Sequence, residues 1–291
     1  MSPFRAIDER PPAEPRISLP VQLSGMFPVS AWLTLLGLSV RQFVRGKRLL
    51  ALALLFLLPG VLARVIQHYA PDFDRHRNEV EQVLVFYMIP QALIPLTALV
   101  LASGMIRDEV EGQTLTYLLI RPLPRPSIYV AKMVAAWLVA SALSAVFITV
   151  TLAAIHWEAK AELWGTILPG HALRVSALAA LSLLVYVALF GGVSLLTRWV
   201  LPLGVAYIVT IEGIFANIDF IVRRLTVLWY IRTLAVRWLD LRIGIWSIDL
   251  QTAPTAREAL VKLLVAALVL TAAGGWWFGS REIRVKTPEG S

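Results

Sequence analysis

The residues best placed to do chemistry form one polar, punctuated run, 105–129, lying between two long apolar stretches. Asp108, Glu109 and Glu111 come first, followed by Gly112 and a helix-forming piece from Thr114 to Ile120. Leu115, Leu118 and Leu119 recur there at three and four residues, which gives a short helix one apolar face. The acids stand just before or within its first turn, where negative charge opposes the positive end of the helix dipole and can meet basic residues of another protein. Gly112 admits a close or left-handed backbone approach that a side chain would block. Arg121-Pro122-Leu123-Pro124-Arg125-Pro126 then stops the helix, because proline lacks the amide proton and biases the residue before it away from helical geometry. Ser127 offers an N-cap to the next helix, and Lys132 falls in its first turns. The chemistry available is recognition rather than bond-making: a short helix held between turn residues is built to dock. The same run also reads as a solvated connection between two helices, the commonest use of a loop.

A second set of ionisable residues lies at membrane depth. Glu212 sits a few residues below the outer end of an apolar stretch, where an unpaired carboxylate costs on the order of 2.5–3.5 kcal/mol. Arg174, one turn into the preceding apolar stretch from the same side, is its expected partner; the two form an ion pair clamping neighbouring helices, or else line a transport path. The histidines His68, His76, His156 and His171 all fall at outer ends of such stretches, as solvated interface residues or, more weakly, as a metal cluster. With no cysteine there is no disulfide, thiolate metal site or cysteine nucleophile, and no metal site is assigned. Phosphate-cradling chemistry is missing too: Gly46-Lys47-Arg48 lacks the upstream glycine and the following hydroxyl of a P-loop, and neither His-Glu-x-x-His nor Gly-x-Ser-x-Gly occurs. The chain is not expected to be an enzyme.

The elements that must position these residues are membrane helices. Hydrophobic residues make up 58% of 291, charged residues only 16%, and the mean hydropathy is +0.71, against about 25% charged in a soluble domain. The expected fold is an all-α polytopic membrane protein of six transmembrane helices. Residues 1–28, rich in proline and carrying no cleavable signal pattern, read as a disordered tail. Over 29–48 the residues Trp32, Leu36 and Phe43 share one helical face and Arg41, Arg45 and Arg48 the opposite one. That pattern suits an interfacial amphipathic helix with arginines toward phosphate, or a basic flank before the first span. The transmembrane domain covers 49–278, with spans at Leu49–Ile66, Val83–Gly104 (interrupted by Pro90 and Pro95), Ile128–Ile155, His171–Thr197, Leu203–Ala216 and Glu258–Phe278. Residues 279–291 form a tail.

Six spans place Arg41, Arg45, Lys47, Arg48, Arg107, Arg121, Arg125, Lys132, Arg198, Arg281, Arg284 and Lys286 on the cytoplasmic side, as the positive-inside rule asks. The segment 217–257 must then be external, although it carries Arg223, Arg224, Arg232, Arg237, Arg242 and Arg257. Val227, Ile231, Leu234, Trp238, Leu241 and Ile245 recur there at helical spacing, so it reads as one or two helices on the outer leaflet or capping the bundle, its arginines on lipid phosphates.

The run around residue 112 resembles the first cytoplasmic loop of type-2 ATP-binding-cassette (ABC-2) exporter permeases, through Glu109, Gly112, Thr114, Leu115, Leu118, Leu119, Pro122, Arg125 and Lys132. Ala131 stands where glycine often precedes the lysine, and Pro124 and Pro126 stiffen the turn. The layout of spans extends the likeness to nearly the whole chain. The resemblance implies a permease subunit of an ATP-driven exporter in a prokaryotic plasma membrane, with both termini cytoplasmic. It implies that a helix of the Asp108 to Ile120 region forms a cytoplasmic coupling helix seated in a separate ABC ATPase, which would bind the ATP and magnesium; the chain itself needs no cofactor. A second permease copy or homologue completes the assembly, membrane lipid surrounds it, and nucleic acid has no part. The rival readings are a membrane scaffold and a metal-handling or enzymatic membrane protein using the external histidines. The substrate is not written in the sequence.

Overall fold

The computed structural model describes residues 29–70, 73–105, 124–158, 164–165, 168–218, 221–239, 246 and 253–280. Their long elements are all helices: α1 Val29–Arg45, α2 Lys47–Tyr69, α3 Phe73–Gly104, α4 Arg125–Ile155, α5 Leu168–Leu196, α6 Val200–Asn217, α7 Val227–Leu239 and α8 Ala256–Ser280. Six of them, α2 to α6 and α8, are long and apolar enough to cross a membrane. Helices are the expected solution for such sequences, since hydrocarbon offers no partner for backbone N–H and C=O groups and a helix satisfies them within one segment. At 1.5 Å per residue, about 20 residues cross a ~30 Å core.

Several boundaries differ from the sequence reading, each for a local reason. The link over 67–82 is shorter than expected, because Phe73–Glu81 extends the second span outward by about two and a half polar helical turns. Around Pro90 the helix widens to π geometry over Gln82–Leu93, which tolerates a residue with no N–H to give; regular turns resume at Ile94, with Pro95 in the first of them. Ser127 does not cap the third span. Pro124, extended at ψ 140°, takes the N-cap position and Pro126 the first turn, its fixed φ already helical, so the helix begins at Arg125. The fifth span starts at Val200, absorbing most of the expected turn, and passes through a second π stretch, Ile208–Ile214.

The bundle is organised on α5, which packs against α3, α4, α7 and α8. Trp137 of α4 donates its indole N–H to the Ala180 carbonyl of α5 at 2.8 Å, pinning the middle of that pair. With little hydrophobic drive between helices in lipid, close approach decides the packing. A Cβ at Gly204 of α6 would run into Leu99 of α3, and one at Gly274 of α8 into the Tyr129 ring of α4. The periphery stays apolar: Leu50, Leu54, Leu57 and Val61 form an exposed stripe along α2, and Leu264, Val265, Leu268 and Val269 one along α8. Extended backbone at Gly46 separates α1 from α2. The first helix lies along α4 with Leu35 and Ser39 buried, Trp32 and Phe43 against the core, and Arg41 and Arg45 exposed.

Candidate functional site

Asp108, Glu109, Glu111, Gly112, Thr114, Leu115, Leu118, Leu119 and Pro122 lie outside the described residues. Their segment leaves α3 at Met105 and returns at Pro124, and the two ends are tied together. Lys132, on the third turn of α4, is only 2% exposed, and its Nζ donates to the Met105 carbonyl at 3.1 Å. The last carbonyls of a helix have no partner within it and carry the negative end of its dipole, so a buried ammonium there is doubly favoured. Tyr129, fully buried one turn earlier, fills the space beside Gly191 and Gly274. Arg125 is half-buried in the first turn. Next to Met105 a hollow of about 220 Å3 opens between Gln42, Phe43, Gly46 and Lys47 of the α1–α2 elbow and Leu101 and Gly104 of α3. The elbow, the end of α3 and the start of α4 therefore share one end of the bundle.

Glu212 lies in the π stretch of α6 and is fully buried. Its Oε1 accepts from the Tyr207 hydroxyl at 3.1 Å and the Val227 amide at 3.2 Å, and its Oε2 from the Leu228 amide at 3.1 Å. These amides open α7, whose own N-cap, Thr226, accepts from the Trp229 amide at 3.3 Å. A helix presents four unpartnered N–H groups at its start, and a carboxylate matches both them and the dipole. The expected pairing with Arg174 is therefore corrected. Arg174 is exposed on α5 and the structure does not bring it to Glu212, because α7 folds back onto the bundle and supplies neutral donors at closer range.

The assignment of the arginines of 217–257 to lipid phosphates is also corrected in part. Arg232 of α7 is 3% exposed; Nη1 donates to Asn217 Oδ1 at 2.9 Å and, at a long 3.5 Å, to the Ala216 carbonyl, while Nη2 donates to Gln91 Oε1 at 3.0 Å. It thus joins α7 to the end of α6 and to the π stretch of α3, flanked by the rings of Tyr87 and Trp246 at 5.9 and 5.5 Å. Burial pulls its pKa down to about 10, which leaves it charged at neutral pH. Arg237 bonds the carbonyls of Pro254 and Ala253 at 3.0 and 3.2 Å, and Arg223 stacks on Trp229 at 4.0 Å. Arg224 and Arg257 are exposed, and Arg242 lies outside the described residues. Arg223, Arg232 and Arg237 are thus engaged by residues of the chain itself.

At the same end, Glu81 of α3 receives two of the four histidines. His171 Nε2 lies 2.8 Å from Oε1 and His156 Nε2 3.5 Å from Oε2, with His156 Nδ1 3.1 Å from the Leu152 carbonyl. His68 and His76 are exposed. Among the described residues no group of three or more His, Asp and Glu has the arrangement of a metal site.

The family model described as ABC-2 family transporter protein matches residues 33–282, from α1 through α8. The chain belongs to the ABC-2 transporter family. No curated protein matches it significantly. An ABC-2 permease is the membrane component of an ABC transporter, a transport subunit rather than a catalyst. In this permease the sequence singled out Lys132 and Glu212 but missed Arg232, Gln91 and Glu81. Arg232 is one of six arginines that the sequence reading sets on lipid phosphates, in a segment on the outer leaflet or capping the bundle. Its position among Ile231, Thr233 and Leu234, all buried, was the available signal.

Proposed function

We propose that this ABC-2 permease is the conduit of an ATP-driven exporter, worked by a separate ABC ATPase that docks on the segment 106–123. The reading rests above all on Lys132: its buried bond to the Met105 carbonyl joins the two helices that the segment connects, so force applied there reaches α3 and α4 together. Asp108, Glu109 and Glu111 meet basic residues of the ATPase, Gly112 allows its close approach, and Thr114, Leu115, Leu118 and Leu119 form the seated helix. Pro122 and Arg125 stiffen the return. A second permease copy or homologue pairs with this one, both termini face the cytoplasm of a prokaryotic cell, and α1 lies in the headgroup layer with Arg41 and Arg45 toward phosphate. Nucleotide-driven closure of two ATPases then rocks the bundles between inward-open and outward-open states. ATP and magnesium belong to the partner.

The test uses the tagged full-length permease expressed in its native host. ATPase activity should copurify with the wild type and be lost or uncoupled from transport in Glu109→Lys and Gly112→Val, while both variants keep the wild-type thermal unfolding midpoint. A full complement of coupled ATPase in both variants would overturn the docking assignment.

A further inference from the structure

We propose that the space between α3, α4, α5 and α7 is a binding site for a hydrophobic anion, a carboxylate carried on a hydrocarbon chain. The cavity there measures about 30 Å3 and is walled mainly by hydrocarbon, including Phe86 and Ile89 of α3, Ala179 of α5 and Ile231 of α7. Arg232 and Trp246 interrupt that wall. The two lie together, guanidinium carbon 5.5 Å from the indole ring centre, and they are 3% and 6% exposed. On each, one buried N–H has no acceptor among the described residues: Nε of Arg232 and Nε1 of Trp246. Buried donors are nearly always satisfied, and leaving one unmade costs the desolvation of the group without return.

The charge points the same way. The acceptors around Arg232 are a carboxamide of Gln91, a carboxamide of Asn217 and the Ala216 carbonyl, all uncharged. Glu212, the nearby acid, spends both oxygens on Tyr207 and the amides of α7. A buried guanidinium whose hydrogen-bond acceptors among the described residues are all uncharged, beside a second idle donor and an apolar wall, is complementary to an anion with a hydrocarbon body. A cation would be repelled, and an alcohol would bring an acceptor without the charge. A space of this size takes a carboxylate and little more. The carboxylate accepts from Arg232 Nε and Trp246 Nε1, and the hydrocarbon body follows the apolar wall between α3 and α7.

The site deepens the exporter reading and rests on it only in making the ligand a substrate. Binding is therefore measured on the purified full-length permease without ATPase, so that failure here leaves the docking assignment standing, and the reverse. Tritiated decanoate and tritiated decanol are titrated separately in non-ionic detergent at neutral pH, with protein-free micelles subtracted. Saturable decanoate binding, about tenfold tighter than decanol, is expected from a charge-assisted contact. Ala179→Leu, which fills the cavity, should abolish saturable binding of both. Arg232→Gln and Trp246→Phe should each erode the preference for decanoate. Should Arg232→Gln fail to fold, Trp246→Phe, which keeps a ring against Phe86 and removes the N–H, carries the test. Equal binding of acid and alcohol, no saturable binding, or decanoate binding unchanged in Ala179→Leu overturns the proposal.

Discussion

Glu212 shows how a carboxylate can sit within a membrane span without a basic partner. Its two oxygens receive a phenol and two helix-opening amides, so its hydrogen-bond partners are neutral dipoles rather than a basic side chain. Removing it strands three donors in a buried place. Glu212→Ala should cost about 3 kcal/mol in thermal unfolding of the detergent-solubilised permease, whereas Glu212→Gln, which keeps one acceptor oxygen, should cost clearly less. Adding Arg174→Ala to Glu212→Ala should bring no recovery, because contact-free sites add. A double variant more stable than Glu212→Ala alone would restore the ion pair. That Glu212 needed a partner was legible from its apolar neighbours. Which partner it found was not, since the amides belong to a helix 15 and 16 residues further on that had first to fold back.

At the level of elements, the span contacts depend on small residues more than on the apolar bulk that defines the spans. Gly274 of α8 faces the Tyr129 ring so closely that a methyl group there collides with ring atoms, while a Cβ at Gly275 would meet Pro126 and Tyr129 at an ordinary 3.8 Å. Gly274→Ala should therefore destabilise the bundle by about 1–3 kcal/mol. Gly275→Ala should be neutral, or stabilising by up to about 1 kcal/mol from helix propensity. Equal effects of the two, measured as unfolding midpoints in the same detergent, would mean that α4 and α8 do not meet at this register. The π stretches of α3 and α6 act at the same scale. They carry Gln91 and Glu212, the two side chains that hold α7, so widened turns coincide with the places where the cap attaches.

For the whole molecule, an even number of spans sends the α1–α2 elbow, the α3–α4 segment and the α5–α6 turn to one side, and α7 to the other. The chain has no native cysteine, so single cysteines report cleanly. Arg224→Cys, exposed just before α7, should react with an impermeant maleimide on intact cells. Arg45→Cys, exposed at the end of α1, should react only after permeabilisation. Reaction of Arg45→Cys from outside, or of Arg224→Cys only after lysis, would invert the orientation.

The sequence by itself determined the membrane class, the six spans to within a few residues save the start of the second at Phe73, the polar segment between the second and third, and the family resemblance. All of these are written in short windows: apolar length against bilayer thickness, proline and glycine at turns, charge beside spans. What only the tertiary structure decided is which polar groups meet. Lys132 reaches Met105 across 27 residues, His171 reaches Glu81 across 90, and Arg232 reaches Gln91 across 141. In an apolar environment each buried polar side chain must take whatever partner the packing presents. The packing of apolar helices is set by close approach at positions such as Gly204 and Gly274, which no periodicity marks.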